Sequence, residues 1–148
     1  MRALVQRVSE ANVVVGGVEV NSIQQGLLIF LGITHTDTEQ DCQYLAQRCT
    51  SLRIFEDAEG KMNLCVKEID GSALVISQFT LYADTRKGNR PSFIDAGRPE
   101  MAEKLYEAFV HSLRNEMGES KVVTGVFRAM MDISLVNTGP VTVMLESK

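Results

Sequence analysis

The run Leu27-Leu28-Ile29-Phe30-Leu31 limits the possible folds more than any other stretch, because all five residues are apolar. A strand turns successive side chains to opposite faces, so an unbroken apolar run reads as a central strand covered on both sides. It predicts a sheet with material above and below it. Upstream, Arg2 to Val8 alternates, and Ala11-Asn12-Val13-Val14-Val15 runs through Gly16-Gly17 into Val18-Glu19-Val20. A Gly pair between β-branched runs predicts a tight hairpin, since its turn needs φ > 0.

Downstream the period changes. Thr38 is placed to cap a helix whose first turn holds Glu39 and Asp41, and Cys42, Leu45, Cys49 and Leu52 recur on one face. Asp57-Ala58-Glu59-Gly60 reads as a turn, and a long strand is expected from about Ser72 to Tyr82. A second helix opens at Pro99 and closes near Gly118, with Ala102, Leu105, Phe109 and Leu113 as its core stripe. Two further strands are expected, from Val122 to about Val136 with a break at Gly125, and from Val141 to Leu145. The segment Asn137-Thr138-Gly139-Pro140 would then be the turn between them. No repeat or linker interrupts the pattern, so residues 1–148 read as a single α/β domain. Its mixed, mostly antiparallel sheet curls toward a barrel or pairs with a second chain, and carries two main helices.

A chain of 148 residues can bury roughly 68–70% of its unfolded surface, so it needs no covalent staples. The three cysteines, Cys42, Cys49 and Cys65, form no C-x-x-C pair and read as buried free thiols. No stretch approaches the roughly 18 apolar residues that span a bilayer, which predicts a cytoplasmic protein without a membrane partner. The net charge of −4 argues against indiscriminate nucleic-acid binding, so any RNA contact must be local.

The catalytic options are few. His35 and His111 are the only histidines, and nothing near His35 in sequence looks like a nucleophile. His111 lies between Phe109 and Leu113 but away from the core stripe of the second helix, as a solvated surface residue does. H-E-x-x-H, metal-binding Cys/His clusters and phosphate-cradling glycine loops are all missing from the sequence, so neither metal nor cofactor is expected. What remains is polar residues set in apolar strands. In Leu74-Val75-Ile76-Ser77-Gln78-Phe79-Thr80-Leu81-Tyr82, strand alternation puts Gln78 and Thr80 on one face and Ser77 and Phe79 on the other. Two readings stand: Gln78 and Thr80 share a site, or Thr80 is a β-former and Gln78 an edge polar residue. The following loop carries Arg86, Lys87 and Arg90 and is either a phosphate clamp or an ordinary solvated loop.

Four stretches, Val5-Gln6-Arg7-Val8, Ser77 to Tyr82, Gly88-Asn89-Arg90-Pro91-Ser92-Phe93 and Asn137 to Thr142, match in order and spacing those of the D-aminoacyl-tRNA deacylases, bacterial type. The chain resembles that family over essentially its whole length. The resemblance implies a homodimeric hydrolase that frees D-amino acids, and also glycine from mischarged tRNA(Ala), from tRNA. The site would lie at the subunit interface, with Ser77, Gln78, Phe79 and Thr80 of one chain facing a cis Gly139-Pro140 loop of the other. Arg7 would steady that loop, Asn137 and Thr142 would bind substrate beside it, and Arg86, Lys87 and Arg90 would meet the RNA.

A magnitude favours backbone over a side-chain pocket as the reader of chirality. Rejecting abundant L-aminoacyl-tRNA takes several powers of ten, each about 1.36 kcal/mol, whereas size discrimination in an apolar pocket reaches only about 1–3 kcal/mol. A rigid wall where the L side chain projects does more, and it lets any D side chain or glycine through. With no general base in view, the substrate's own ribose hydroxyl is expected to help activate water, with Gln78 positioning the ribose. The rival reading is a non-enzymatic dimeric nucleic-acid-binding module.

Overall fold

A computed structural model describes residues 1–147. Eight strands and two helices follow one another as β1 (Arg2–Val15), β2 (Val18–Ile23), β3 (Gly26–Gly32), α1 (Glu39–Thr50), β4 (Phe55–Glu56), β5 (Met62–Leu64), β6 (Ser72–Ser77), α2 (Pro99–Met117), β7 (Val122–Thr124) and β8 (Asp132–Glu146). Short 3-10 helices occupy Phe79–Tyr82 and Glu119–Lys121. The main sheet runs β2-β1-β3-β6-β7, with β8 also paired to β1. The β1 pairings are antiparallel, whereas β3–β6 and β6–β7 are parallel. Parallel neighbours need a crossover, and α1 and α2 lie in the two crossovers. The result is a mixed sheet nearly closed into a barrel.

The central run behaves as its composition requires. Leu27, Ile29 and Leu31 enter the core under the two helices, while Leu28 enters a second core on the opposite face with Leu74 and Ile76. Strand β1 feeds both. Ala3 and Val5 belong to the helix-side core, whereas Val8, Ala11 and Val13 belong to the other. The strand therefore changes face near Arg7, where its pairing with β8 is irregular on both sides of Val8. One strand replaces the two segments expected from sequence.

The helices follow their sequence signals. Thr38 and Asp41 form a reciprocal capping box at the start of α1, and Pro99 opens α2. Gly118 ends α2 at φ 102°, a conformation that favours glycine. Cys42, Leu45 and Cys49 are fully buried, and the Cys42 thiol donates to the Leu105 carbonyl at 3.3 Å, tying α1 to α2. The Tyr106 hydroxyl donates to the Val75 carbonyl at 2.8 Å and pins α2 to β6. Gly16 and Gly17 take φ 59° and 82° in the expected hairpin. No helix among the described residues is long and apolar enough to cross a membrane.

Three expectations need correction. The strand from Ser72 stops at Ser77, and Phe79–Tyr82 is a 3-10 helix. Packing against Gly32 explains the change: a Cβ there would lie 2.9 Å from Leu81 Cβ and 3.1 Å from the Gln78 carbonyl oxygen. The chain thus crosses tightly over the end of β3. Likewise β7 ends at Thr124, and Gly125 to Met131 forms a separate segment before β8. Lastly, Asn137 to Pro140 is no reversing turn, because β8 pairs with β1 on both sides of it. Gln6 faces Thr142 and Val8 faces Asn137, so the segment 138–141 bulges out opposite Arg7 alone.

Candidate active site

Where β6 ends, the chain opens a cleft of about 740 Å³. Ser77, Gln78 and Phe79 form one wall, Phe93 and the start of α2 another, and Phe127 to Met131 a third. The Gln78 N–H donates to the Leu31 carbonyl at 2.8 Å, which fixes the turn to β3. The Gln78 side-chain amide donates to the Thr80 hydroxyl. The two residues do meet, through a 3-10 turn rather than by the strand alternation expected. Leu81 N–H donates back to the Gln78 carbonyl at 3.3 Å, while the N–H groups of Phe79 and Thr80 stand in the first turn of the helix. A first turn leaves such groups without partners from the helix itself.

The loop after this turn doubles back on itself and returns the chain to the cleft at Phe93. Asp84 and Ser92 exchange backbone hydrogen bonds of 2.8 and 2.9 Å, and Phe93 meets Phe79 edge-on with ring centroids 5.0 Å apart. Arg86 binds Asp84 through two side-chain bonds of 2.9 and 2.7 Å, which hold the Asp84 carboxyl down at about 2. Arg86, Lys87 and Arg90 are all exposed on this loop.

The remaining predicted residues gather elsewhere. Arg7 is only 8% exposed, and it donates to the Thr138 carbonyl at 2.9 Å and the Ile54 carbonyl at 2.6 Å. Asn137 closes the neck of the bulge: its amide donates to the Thr142 hydroxyl at 2.9 Å, and its carbonyl oxygen accepts from the Val141 N–H at 2.8 Å. Gln6 reaches the same Thr142 hydroxyl at 3.1 Å. The Gly139-Pro140 peptide is cis, Gly139 has φ 133°, and both residues are exposed. Neither they nor Arg7, Asn137 and Thr142 line the cleft. The sequence motifs therefore form two separate clusters within one chain.

His35 lies outside the cleft, with its Nε2 2.8 Å from the Ile94 carbonyl oxygen, and His111 is exposed on α2. Sequence reasoning missed the third wall, Phe127 to Met131. Gly125 was its signal, because a Cβ there would sit 2.6 Å from Met131 Sδ and 2.9 Å from Ile76 Cδ1. That contact folds Met131 against the end of β6. Beside it Met130 is 90% exposed at the cleft rim.

With this geometry in hand, the likenesses to known proteins are extensive. The sequence model of the family described as D-Tyr-tRNA(Tyr) deacylase matches residues 4–146. A D-aminoacyl-tRNA deacylase from Thermotoga petrophila is 57% identical over 147 residues, covering 99% of this chain and 97% of that protein. Its counterpart from Desulfatibacillum aliphaticivorans is 55% identical over 148 residues, covering 100% of each. Among solved structures, the c-Myc DNA Unwinding Element Binding Protein superposes with a TM-score of 0.95 at 38% identity, covering 100% of this chain and 99% of that one. A probable eukaryotic D-amino acid tRNA deacylase has the same fold, with a TM-score of 0.84 at 17% identity over 98% of both chains.

Proposed function

This chain belongs to the D-Tyr-tRNA(Tyr) deacylase family and hydrolyses D-aminoacyl-tRNA, and from that premise we propose how its residues divide the work. The cleft receives the terminal adenosine with its D-aminoacyl ester. Gln78, held toward Thr80, positions the ribose. The N–H groups of Phe79 and Thr80 face the oxyanion of the tetrahedral intermediate; one such donor is worth about 2.7–4 kcal/mol. The observation that carries this reading is the lining itself, which among the described residues has no Asp, Glu, His, Cys or Lys. Proton transfer then falls to water and the substrate's ribose hydroxyl, with Ser77 and Thr80 as hydrogen-bonding support.

Stereochemical choice belongs to Gly139-Pro140. In a homodimer the exposed bulge of one chain closes the cleft of its partner, and its backbone forms the wall that an L side chain would strike. Arg7, Asn137 and Thr142 hold that bulge through the bonds described above. Glycine has no side chain to clash, so glycine on tRNA(Ala) is also a substrate. Arg86, Lys87 and Arg90, exposed on the loop between the 3-10 turn and Phe93, meet the tRNA backbone, and the enzyme works in the cytoplasm. The likeness to a protein named as a DNA-unwinding-element binder favours one second reading, a nucleic-acid-binding module without catalysis. Incubation with D-tyrosyl-, L-tyrosyl- and glycyl-tRNA separates the two. Release of D-tyrosine and glycine with L-tyrosine retained is expected; equal or no release overturns the proposal.

A further inference from the structure

The third wall of the cleft contains a backbone anomaly. Ala129 N–H donates to the Val126 carbonyl at 3.2 Å, closing a four-residue turn with Phe127 and Arg128 at its centre. Arg128 has φ 62°. A turn with positive φ at its third residue is the type II pattern, whose usual occupant there is Gly or Asn. Only one other described non-glycine residue has positive φ, Asp70 at 54°. Asp tolerates that region, and the Asp70 carboxylate pairs with Lys121 at 2.8 Å. Arg128 has no such local reason: its guanidinium makes no hydrogen bond or ion pair among the described residues. Strained residues of this kind gather at functional sites.

The surroundings say what the guanidinium is for. Of the residues lining the cleft, Arg98 and Arg128 alone are charged, and both are exposed. Arg98 also lacks a side-chain partner among the described residues. Two free cations and no anion thus share an apolar cleft in a chain whose net charge is −4. Arg86, by contrast, is already engaged by Asp84. Guanidinium groups bind phosphate through paired, charge-assisted hydrogen bonds.

We propose that Arg98 and Arg128 together grip a phosphodiester of the tRNA acceptor end and so set how deeply the terminal nucleoside enters the cleft. They are positioning residues, and the inference rests on the deacylase reading above. It separates them from Arg86, Lys87 and Arg90, which lie on another loop.

The test compares D-tyrosyl-tRNA with D-tyrosyl-adenosine, which has the same ester but no phosphate, using the full chain. R98Q and R128G should each lower the ratio of kcat/KM for the tRNA to that for the nucleoside about tenfold. The loss should sit mainly in KM, and the dependence of log KM on log salt should flatten by about 0.7 for each arginine removed. R128K should recover part of the loss, and the melting temperature of R128G should not fall, since Gly relieves the left-handed strain. R98Q provides the test by itself if R128G disturbs the turn, because Arg98 has an ordinary φ of −61°. An unchanged ratio, or equal losses on both substrates, overturns the proposal while leaving the deacylase reading intact. Failure of the unaltered protein to release D-tyrosine from either substrate overturns that reading instead.

Discussion

The segments Ser77 to Tyr82 and Asn137 to Thr142 look alike in sequence, each a short polar patch set in apolar strand residues, yet the structure treats them oppositely. The first leaves its strand at Ser77 and turns over the end of β3 to wall a cleft. The second stays within β8 and bulges outward, with its polar side chains bound to one another. The difference lies in what each patch packs against. Gly32 offers the first a place to cross, and the buried guanidinium of Arg7 holds the second from beneath. One segment walls the cleft and the other presents an exposed surface, the division of parts that the proposed homodimer uses.

The largest test of this division is Gly139→Ala. A Cβ there would lie 2.8 Å from Val141 Cγ2 and 2.9 Å from Arg7 Nη2, and φ 133° is unfavourable for alanine. The loop must shift, and displacement by about 1 Å can cost about a hundredfold in rate. We expect a loss of that order in kcat/KM for D-tyrosyl-tRNA; an unaltered value separates the loop from the site. Mixing Gly139→Ala chains with Gln78→Ala chains sharpens the point. One intact cleft facing one intact loop per mixed dimer should restore about a quarter of the original activity after random exchange, whereas no recovery places both residues in one chain's site.

Arg7→Leu comes next. It leaves the carbonyls of Thr138 and Ile54 without their donor, for a loss of about 2–3 kcal/mol and a melting temperature lower by about 6–10 °C. Thermal unfolding measures it, and a shift under a degree removes Arg7 as the support of the bulge. On the cleft side Thr80→Ala should be milder, within about tenfold in kcat, because it removes one neutral hydrogen bond. Collapse to background with an intact fold makes Thr80 a nucleophile.

The smallest effect lies outside both segments. Burial, chiefly, pushes the Cys42 and Cys49 thiols up to about 12, with Asp37 adding to the shift at Cys42. The fold keeps these groups protonated, so their contribution is full below the ordinary value of 9.0 and is lost as pH rises toward about 12. Replacing both with alanine should flatten the decline in melting temperature over that alkaline range. A decline as steep as before assigns it to other groups.

Much of the fold was legible because local chemistry and packing agree there. The apolar run at Leu27 to Leu31, the Gly16-Gly17 hairpin, the Thr38 cap and the Pro99 start each need only neighbours in sequence to be recognised. Legibility ended where a distant residue decides the local conformation. Ser77 to Tyr82 has the residues of a strand, and only Gly32, far away in the chain, turns it into a helix. Asn137 to Pro140 reads as a turn because Gly and Pro usually mark one, and only the register with β1 shows a bulge. The wall from Phe127 to Met131 carried no motif at all. Its clue was the space that Gly125 leaves for a methionine.

Thus the sequence by itself determined the alternation of apolar faces, the end signals of both helices and the scarcity of histidine. Those properties depend on residue type and on spacing within a few positions. The tertiary structure alone decided that Gln78 meets Thr80 through a turn, that Arg7 lies beneath the bulge, and that Arg98 and Arg128 share one cleft. Each joins atoms through the closing of the sheet, and that closure is fixed by packing across the whole chain.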